Sequence, residues 1–259
     1  MVKGIWAAIL LLTSLIGDAA VAAPAVESPI EQAVSNARRS EADRERDKTS
    51  EPVAVLGFFG LKPGMQVLDL FSGGGYYSEI VSHAVGPAGE VVAHVNDIYE
   101  KYNRDEITER YQGGRLPNVR LLVSNPPELK LPHEAFDMVL MVMTYHDIYY
   151  VSESNPRHPE IDRDRFFAQL YRCLKSGGIL AIVDHAAKPG TGKESAQGLH
   201  RIDEKFARKD IEAAGFVFDG ELEVLRNPAD ERTMSVFDDR IRRRTDRFVF
   251  RFIKGKARD

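Results

Sequence analysis

A glycine-rich stretch in the first third of the chain has the pattern of a nucleotide-binding turn. The apolar run 67–70 contains Asp69, consecutive glycines follow at 73–75, and helical spacing begins at Tyr76. Glycine permits positive φ and lets a ligand approach the main chain, while the helix that follows presents unpaired N–H groups and the positive end of its dipole. Asp69 adds a negative charge, which suits a cationic or hydroxyl-bearing ligand better than a bare phosphate. The stretch predicts a cradle for a nucleotide-like ligand, with a ligand-free βα turn as the alternative.

Two histidine–aspartate pairs follow apolar runs later in the chain. His146 and Asp147 come after the run 136–143, and Asp184 and His185 come after the run 179–183. Histidine exchanges a proton near neutral pH and an aspartate can orient it, so either pair predicts a general base. The alternative is that the aspartates cap the next segment or hydrogen-bond a loop. A metal site is a weaker alternative: imidazole and carboxylate suit several divalent ions, but no two of these four residues have the i, i+4 spacing of a helical metal site, and we assign no metal ligands.

Alternating apolar and amphipathic segments place these residues in a layered α/β fold. Strands are predicted at 67–70, 90–95, 119–123, 136–143, 179–183, 216–218 and 248–253. Helices are predicted at 53–59, 76–84, 105–111, 166–174 and 202–214. This order predicts a doubly wound, mostly parallel seven-stranded sheet with helices on both faces, in which ligands collect at the carboxyl ends of the strands.

Composition favours one domain without a nucleic-acid partner. The chain has 259 residues and a net charge of −4, and its basic residues are mostly interspersed with acidic ones. The single cysteine, Cys173, excludes an internal disulfide and a thiolate metal cluster. Residues 50–259 are therefore predicted to form one α/β domain.

The first 49 residues are predicted to comprise a leader and a charged arm. Lys3, the apolar run 5–16 and the small residues Ala20 and Ala22 match a secretory signal peptide over residues 1–22, with an uncleaved anchor as the alternative. This predicts a periplasmic or secreted bacterial protein that is not inserted in the membrane after cleavage. Residues 23–49 carry alternating charges, which are typical of a solvated helix or a loose arm, and we assign them no chemistry.

The order of several motifs resembles that of class I S-adenosylmethionine-dependent methyltransferases over about residues 52–254. The motifs that carry this resemblance are Asp69–Gly75 after a strand, Phe136-Asp137, Leu174–Gly178 and Ala213–Phe216. A narrower resemblance, to a group of predicted secreted bacterial methyltransferases, rests on Gly73–Tyr77, Tyr145–Asp147, Val183–His185, Leu199–Asp203 and Leu225–Pro228.

The resemblance implies a Rossmann-like methyltransferase fold and S-adenosylmethionine as cofactor. In the family motif acidic-x-Gly-x-Gly-x-Gly, Phe71 stands where the first glycine is expected. The family also tends to have an acidic residue at the end of the second strand that holds the ribose hydroxyls, and here either Asn96 or Asp97 must do so. Ser124 stands where the family often has an acidic residue near the adenine. The cofactor-binding residues implied are Asp69, Ser72, Gly73, Gly75, Asn96, Asp97, Ser124 and Tyr145.

Methyl transfer from a sulfonium is an in-line displacement, so such an enzyme works by positioning its reactants, with a base where the acceptor must lose a proton. The catalytic residues implied are His146, Asp147 and His185, and the acceptor is a small molecule or an envelope component. One alternative is a non-catalytic binding protein in which Phe71 partly fills the cofactor crevice. A weaker alternative is a nicotinamide-dependent oxidoreductase. His200 either roofs the acceptor pocket or belongs to a capping cluster, and arginines 240–247 form either a solvated face or a site for an anionic acceptor.

Overall fold

The structure is a computed structural model that describes residues 27–151 and 160–255 together with Met1. The rest of the predicted signal peptide, residues 2–22, lies outside the described residues. No helix within these ranges is long and apolar enough to cross a bilayer.

Seven strands form one sheet in the order β3-β2-β1-β4-β5-β7-β6. The strands are β1 (Gln66–Asp69), β2 (Glu90–Val95), β3 (Val119–Val123), β4 (Phe136–Val142), β5 (Leu174–His185), β6 (Phe216–Glu221) and β7 (Arg247–Lys254). Strands β1 to β5 pair in parallel, and β7 lies antiparallel to both β5 and β6. The predicted doubly wound, mostly parallel seven-stranded fold is confirmed.

Helices pack on both faces of this sheet. They are α1 (Pro29–Val34), α2 (Glu41–Ser50), α3 (Pro52–Phe59), α4 (Tyr76–Val85), α5 (Asp97–Tyr102), α6 (Arg104–Tyr111), α7 (Arg163–Cys173), α8 (Ser195–Leu199) and α9 (Glu204–Ala213). Short 3₁₀ turns lie at Gln112–Gly114 and Tyr145–Tyr149.

The core lies on both faces of the sheet because consecutive strand residues point to opposite sides. Along β4, Met138 and Leu140 pack with α3 and α4, whereas Val139 and Met141 pack with α7 and α9. All four side chains are fully buried. Burial on both faces explains why the central strands read as continuous apolar runs in the sequence.

The charged segment before residue 50 is anchored to the domain, in contrast to the expected solvated arm. Arg39 forms a bidentate pair with Asp47 of α2 at 2.7 and 2.8 Å, and its side chain is buried. Asp43 accepts from Arg110 of α6 at 2.8 Å, and Asp47 accepts from the Tyr76 hydroxyl at 2.6 Å. These contacts hold α2 against α4 and α6, beside the glycine-rich loop.

Three differences from the sequence prediction have local reasons. Helix α5 is missing from the prediction because it has only six residues, and Asn96 caps it by accepting from the Tyr99 N–H at 2.7 Å. Strand β5 begins at Leu174 rather than at 179 and includes Gly177 at φ +75°, so it starts at the residue where helix α7 is predicted to end. Helix α9 begins at Glu204 because Asp203 caps it.

Candidate functional site

A cavity of about 540 Å³ opens at the carboxyl ends of β1, β4 and β5, between the glycine-rich loop and the turn after β4. In a doubly wound sheet this edge is where the strand order reverses, between β1 and β4, and where loops from several strands converge. Five of the predicted site residues line the cavity: Ser72, Gly73, His146, Asp147 and His185.

The glycine-rich loop repeats one backbone conformation at alternate positions. Phe71, Gly73 and Gly75 have φ values of +56°, +57° and +83°. Left-handed backbone is available to glycine without strain and costs an L-residue with a Cβ about 1–2 kcal/mol. Phe71, at the position of the first glycine of the family motif, thus adopts a conformation that favours glycine.

The Phe71 ring offsets this strain by packing. It is 3% exposed and stacks on Phe166 of α7 at a centroid distance of 6.1 Å and on Tyr99 of α5 at 5.9 Å. Its N–H donates to Nδ1 of His94 at 3.3 Å, which leaves the proton on Nε2 to donate to the Ser124 carbonyl at 3.1 Å. His94 is buried, and burial lowers its pKa to about 4, so the ring is neutral. His94 of β2 thus links the residues that follow β1 and β3. These hydrogen bonds were not predicted from the sequence, where their only signal was a histidine inside an apolar strand.

Asp69 lies beneath the loop rather than on the cavity surface. Its carboxylate accepts from the Ser78 hydroxyl at 2.6 Å, and this bond ties the end of β1 to the first turns of α4. Burial raises the pKa of Asp69 to about 7, and the Ser78 hydrogen bond only partly opposes this rise.

Helices α5 and α6 close over the glycines. The Arg110 Nε of α6 donates to the Gly74 carbonyl at 2.6 Å, and the same guanidinium pairs with Glu79 of α4. A Cβ at Gly74 would overlap the Glu106 side chain, and one at Gly75 would overlap the Tyr111 hydroxyl. Both glycines are therefore required by the close approach of α6.

Five predicted cofactor-binding residues lie away from the cavity lining, as does Asp69. Asn96 uses its side chain to cap α5, and Asp97 is exposed at the first position of that helix. Ser124 is buried and donates to the Leu129 carbonyl at 3.0 Å. Tyr145 is fully buried against Phe167, and its hydroxyl donates to Asp210. Gly75 holds the N-terminus of α4.

His146 is tied to a buried carboxylate at the neighbouring strand end. Its Nδ1 lies 2.8 Å from Asp184 Oδ1, and its backbone N–H donates to Asp184 Oδ2 at 2.7 Å. Burial lowers the pKa of His146, but the charges of Asp184 and Asp147 outweigh this and raise it to about 9.

His185 faces the same cavity with the opposite electrostatic balance. Burial, followed by the positive charge of His146 and of nearby arginines, holds its pKa well below the usual value. Its Nδ1 lies 2.7 Å from the Thr245 hydroxyl, in the loop before β7. The ring is thus a neutral imidazole next to a charged one, and the two ring centroids lie 5.9 Å apart.

Asp147 and His200 complete a polar cluster on the cavity wall. Asp147 Oδ1 lies 3.3 Å from His146 Nε2 and 3.7 Å from His200 Nδ1, while Oδ2 accepts from the Tyr99 hydroxyl. The pKa of Asp147 is lowered: burial raises it, but the charge of His146 and hydrogen bonds from His200 and Tyr99 outweigh burial. His200 lines the cavity, and it is also the C-cap residue of α8 and pairs with Asp147, so its position agrees with both interpretations made from the sequence.

Several arginines line another part of the cavity. Arg46 stacks over the Tyr76 ring at 4.1 Å, and Arg247 at the start of β7 is 6% exposed and donates to the Thr49 carbonyl at 2.5 Å. The Nε of Arg247 has no hydrogen-bond partner among the described residues. Burial and the neighbouring charge of Arg46 lower the pKa of Arg247. Arg242 and Arg243 also face this cavity, so the late arginine cluster is only partly a solvated face.

Known proteins resemble this chain in both sequence and fold. Residues 68–182 match the family model described as a methyltransferase domain. A ubiquinone/menaquinone biosynthesis C-methyltransferase, UbiE, of Shewanella piezotolerans is 31% identical over 126 residues, which are 48% of this chain and 44% of that protein. The chain thus spans about half the length of the curated relatives it matches.

Solved structures share the architecture at low sequence identity. A SAM-dependent methyltransferase from Aquifex aeolicus superposes with a TM-score of 0.53 at 23% identity, covering 82% of this chain and 97% of that one. The [4+2]-cyclase SpnF superposes with a TM-score of 0.56 at 19% identity, covering 85% and 84%. The Rossmann-like methyltransferase fold implied by the motifs is therefore confirmed. A cyclase on the same fold shows that the fold by itself does not specify the reaction.

Proposed function

We propose that this protein is a class I S-adenosylmethionine-dependent methyltransferase that acts on a small-molecule or cell-envelope acceptor. The observation that carries the proposal is one cavity that joins the glycine-rich loop to the polar cluster after β4 and β5. The methyltransferase domain match begins at residue 68 and therefore includes this loop. The sequence matches favour neither the non-catalytic binding protein nor the nicotinamide-dependent oxidoreductase.

In this proposal the donor lies over the loop at Phe71, Ser72 and Gly73. The left-handed residues turn the main chain so that the donor can approach it without side-chain obstruction at Gly73. Phe71 directs its ring into the core stack with Phe166 rather than occupying the space of a ligand. The position of Phe71 is thus compatible with donor binding at this loop.

The acceptor lies against His146, Asp147 and His185, which are the proposed catalytic residues. Each of them lines the cavity, and the buried Asp184 fixes the orientation of the His146 ring. His185 is placed to accept a proton from the acceptor as the methyl group moves. Orienting both reactants in one enclosed space supplies much of the rate enhancement expected for such a displacement.

The arginines provide a place for an anionic group in the same cavity. Both the carboxylate of the donor's methionine part and an acidic acceptor carry such a group, and Arg46 and Arg247 suit either. Arg46→Gln distinguishes the two: a rise in KM for the donor alone assigns the arginines to the donor, and a rise for the acceptor alone assigns them to the acceptor.

Transfer of a labelled methyl group tests the proposed function directly. We expect the purified protein to transfer label from S-adenosylmethionine into components of a bacterial envelope extract. The rate should fall at least a hundredfold in His185→Ala, because loss of general-base catalysis costs about 10²–10⁴-fold. The matched control is His133→Ala, whose side chain is 66% exposed and lies outside the cavity lining. Absence of any transfer by the wild-type protein, with the donor bound, would reject the proposal.

The cellular location is part of the same proposal. We propose export to the periplasm, supported by Lys3, the apolar run 5–16 and the small residues before Pro24. Mass spectrometry of the protein from a periplasmic fraction should find an N-terminus close to Ala22. Recovery of the intact leader from the cytoplasmic fraction alone would contradict export.

A further inference from the structure

Three metal-ligand side chains converge on the wall of the cavity. One ring nitrogen each of His146 and His200 and one carboxylate oxygen of Asp147 lie within 4.8 Å of one another. The second and third residues of the 3₁₀ turn after β4, His146 and Asp147, supply one imidazole and the carboxylate, and His200, just after α8, supplies the other imidazole. We propose that His146, Asp147 and His200 bind a divalent first-row transition-metal ion.

The separations between these atoms fit a single ion. His146 Nε2 lies 3.3 Å from Asp147 Oδ1, and His200 Nδ1 lies 3.7 Å from the same oxygen. Ligands about 2.0–2.2 Å from a tetrahedral ion lie about 3.4 Å apart. Two histidines and one carboxylate are a ligand set that suits zinc and ferrous iron and leaves coordination positions open.

The neighbouring residues orient the ligands as metal sites require. His146 faces the buried Asp184 through Nδ1 at 2.8 Å, which leaves Nε2 as the ligand nitrogen. A carboxylate behind a metal-binding histidine is the usual arrangement and raises the basicity of the ring. Asp147 binds the Tyr99 hydroxyl through Oδ2 and directs Oδ1 towards the two histidines. Both ligand residues of the turn are thus held in place from behind.

Charge balance also favours a cation here. Asp147 is 9% exposed and Asp184 is fully buried. Within residues 27–151 and 160–255, the ion pairs of both carboxylates are with histidines only. Two buried carboxylates are costly without compensating positive charge, and a divalent ion would neutralise both.

The backbone at His200 supports a functional reason for its position. His200 has φ +53° and ψ +47°, a left-handed conformation that favours glycine. Its ring packs against Tyr150 and Phe237 at centroid distances of 4.7 and 4.8 Å and faces His146 at 5.4 Å. Such strain is typically retained where a side chain must point into a site.

The bound ion would act on the acceptor as a Lewis acid. An acceptor oxygen bound at an open coordination position would lose its proton more readily, and the neighbouring His185 would accept that proton. This role rests on the proposed function, whereas the binding of the ion does not.

Metal binding by the full-length protein tests the inference. We expect the chelator-treated protein to bind one Zn²⁺ per chain by calorimetry and to give the visible absorption of a Co²⁺ complex with histidine ligands. His200→Gly removes a ligand and fits the left-handed backbone without strain, and it should weaken Zn²⁺ binding at least tenfold. Asp147→Asn should do the same, and the exposed His133→Ala should bind as the wild type does.

Two further measurements keep the result interpretable. Zn²⁺ should raise the Tm of the wild type and of His133→Ala but not that of a folded His200→Gly protein. Zn²⁺ binding by His200→Gly with wild-type affinity, or no binding by the wild type, would overturn the metal site. S-adenosylmethionine affinity is measured in parallel, so a failure of donor binding with Zn²⁺ binding intact would count against the proposed function alone.

Discussion

Replacement of Phe71 tests whether the glycine-rich loop keeps its conformation without its first glycine. In Phe71→Ala the buried ring is lost, which costs about 3–5 kcal/mol of unfolding free energy, and the strain of φ +56° remains. Phe71→Gly loses the same ring but relieves about 1–2 kcal/mol of strain. Glycine costs about 0.5–1 kcal/mol in backbone entropy, so the glycine variant should be more stable than the alanine variant by about 0.7 kcal/mol, the difference between the midpoints of the two ranges.

The matched control is Phe166, the neighbour on which Phe71 stacks. It is 1% exposed and lies inside helix α7, where the backbone is ordinary. At this position the order of stability of the glycine and alanine variants should be the opposite. Phe166→Gly should be less stable than Phe166→Ala by about 1 kcal/mol.

Urea unfolding followed by circular dichroism gives both differences, from the midpoints at a common m-value. The reasoning requires opposite signs at the two positions. Phe71→Ala equal to or more stable than Phe71→Gly would refute the left-handed assignment at residue 71.

Two further predictions concern buried charges. Because the folded-state pKa of Asp69 is raised to about 7 from 3.8, its contribution to stability is fully present below about pH 4 and is lost as pH rises through 7. Asp69→Asn should remove up to about 4 kcal/mol of this pH dependence in urea unfolding between pH 4 and 8; an unchanged profile would contradict the shift. Arg201→Met leaves the fully buried Asp230 carboxylate unpaired and should cost about 3–5 kcal/mol, whereas the exposed Arg208→Met should change stability by less than about 0.5 kcal/mol. Equal effects of the two arginine substitutions would be inconsistent with the buried pair.

The sheet could be predicted from the sequence because its strands are apolar runs of strand length separated by glycine and proline turns. Strands β2 and β3 have the predicted bounds, and β1 and β4 differ from them by one residue. Six-residue helices such as α5 escaped prediction because a segment that short is set by its cap and its tertiary contacts rather than by periodicity.

Only part of the site could be predicted from the sequence, because the sequence does not show where each side chain points. Parallel strands bring their carboxyl ends together, and this placed His146, Asp147 and His185 near the glycine-rich loop. Tyr145 precedes His146 by one residue and points into the core instead, because both lie in a 3₁₀ turn, where successive side chains point about 120° apart. His200 and Arg247 reach the cavity through long connections whose course depends on the packed fold.

Calorimetric titration with S-adenosylmethionine tests the central claim, that the cavity over the glycine-rich loop holds the methyl donor. Gly73→Leu would place a side chain in that cavity, and the matched control is Gly60→Leu. Gly60 has a positive φ of +76° in the left-handed helical region, has open space around it and lies outside the cavity lining. The account predicts that the wild type and Gly60→Leu bind the donor and that Gly73→Leu does not. No binding by the wild type, or equal binding by Gly73→Leu, would contradict it.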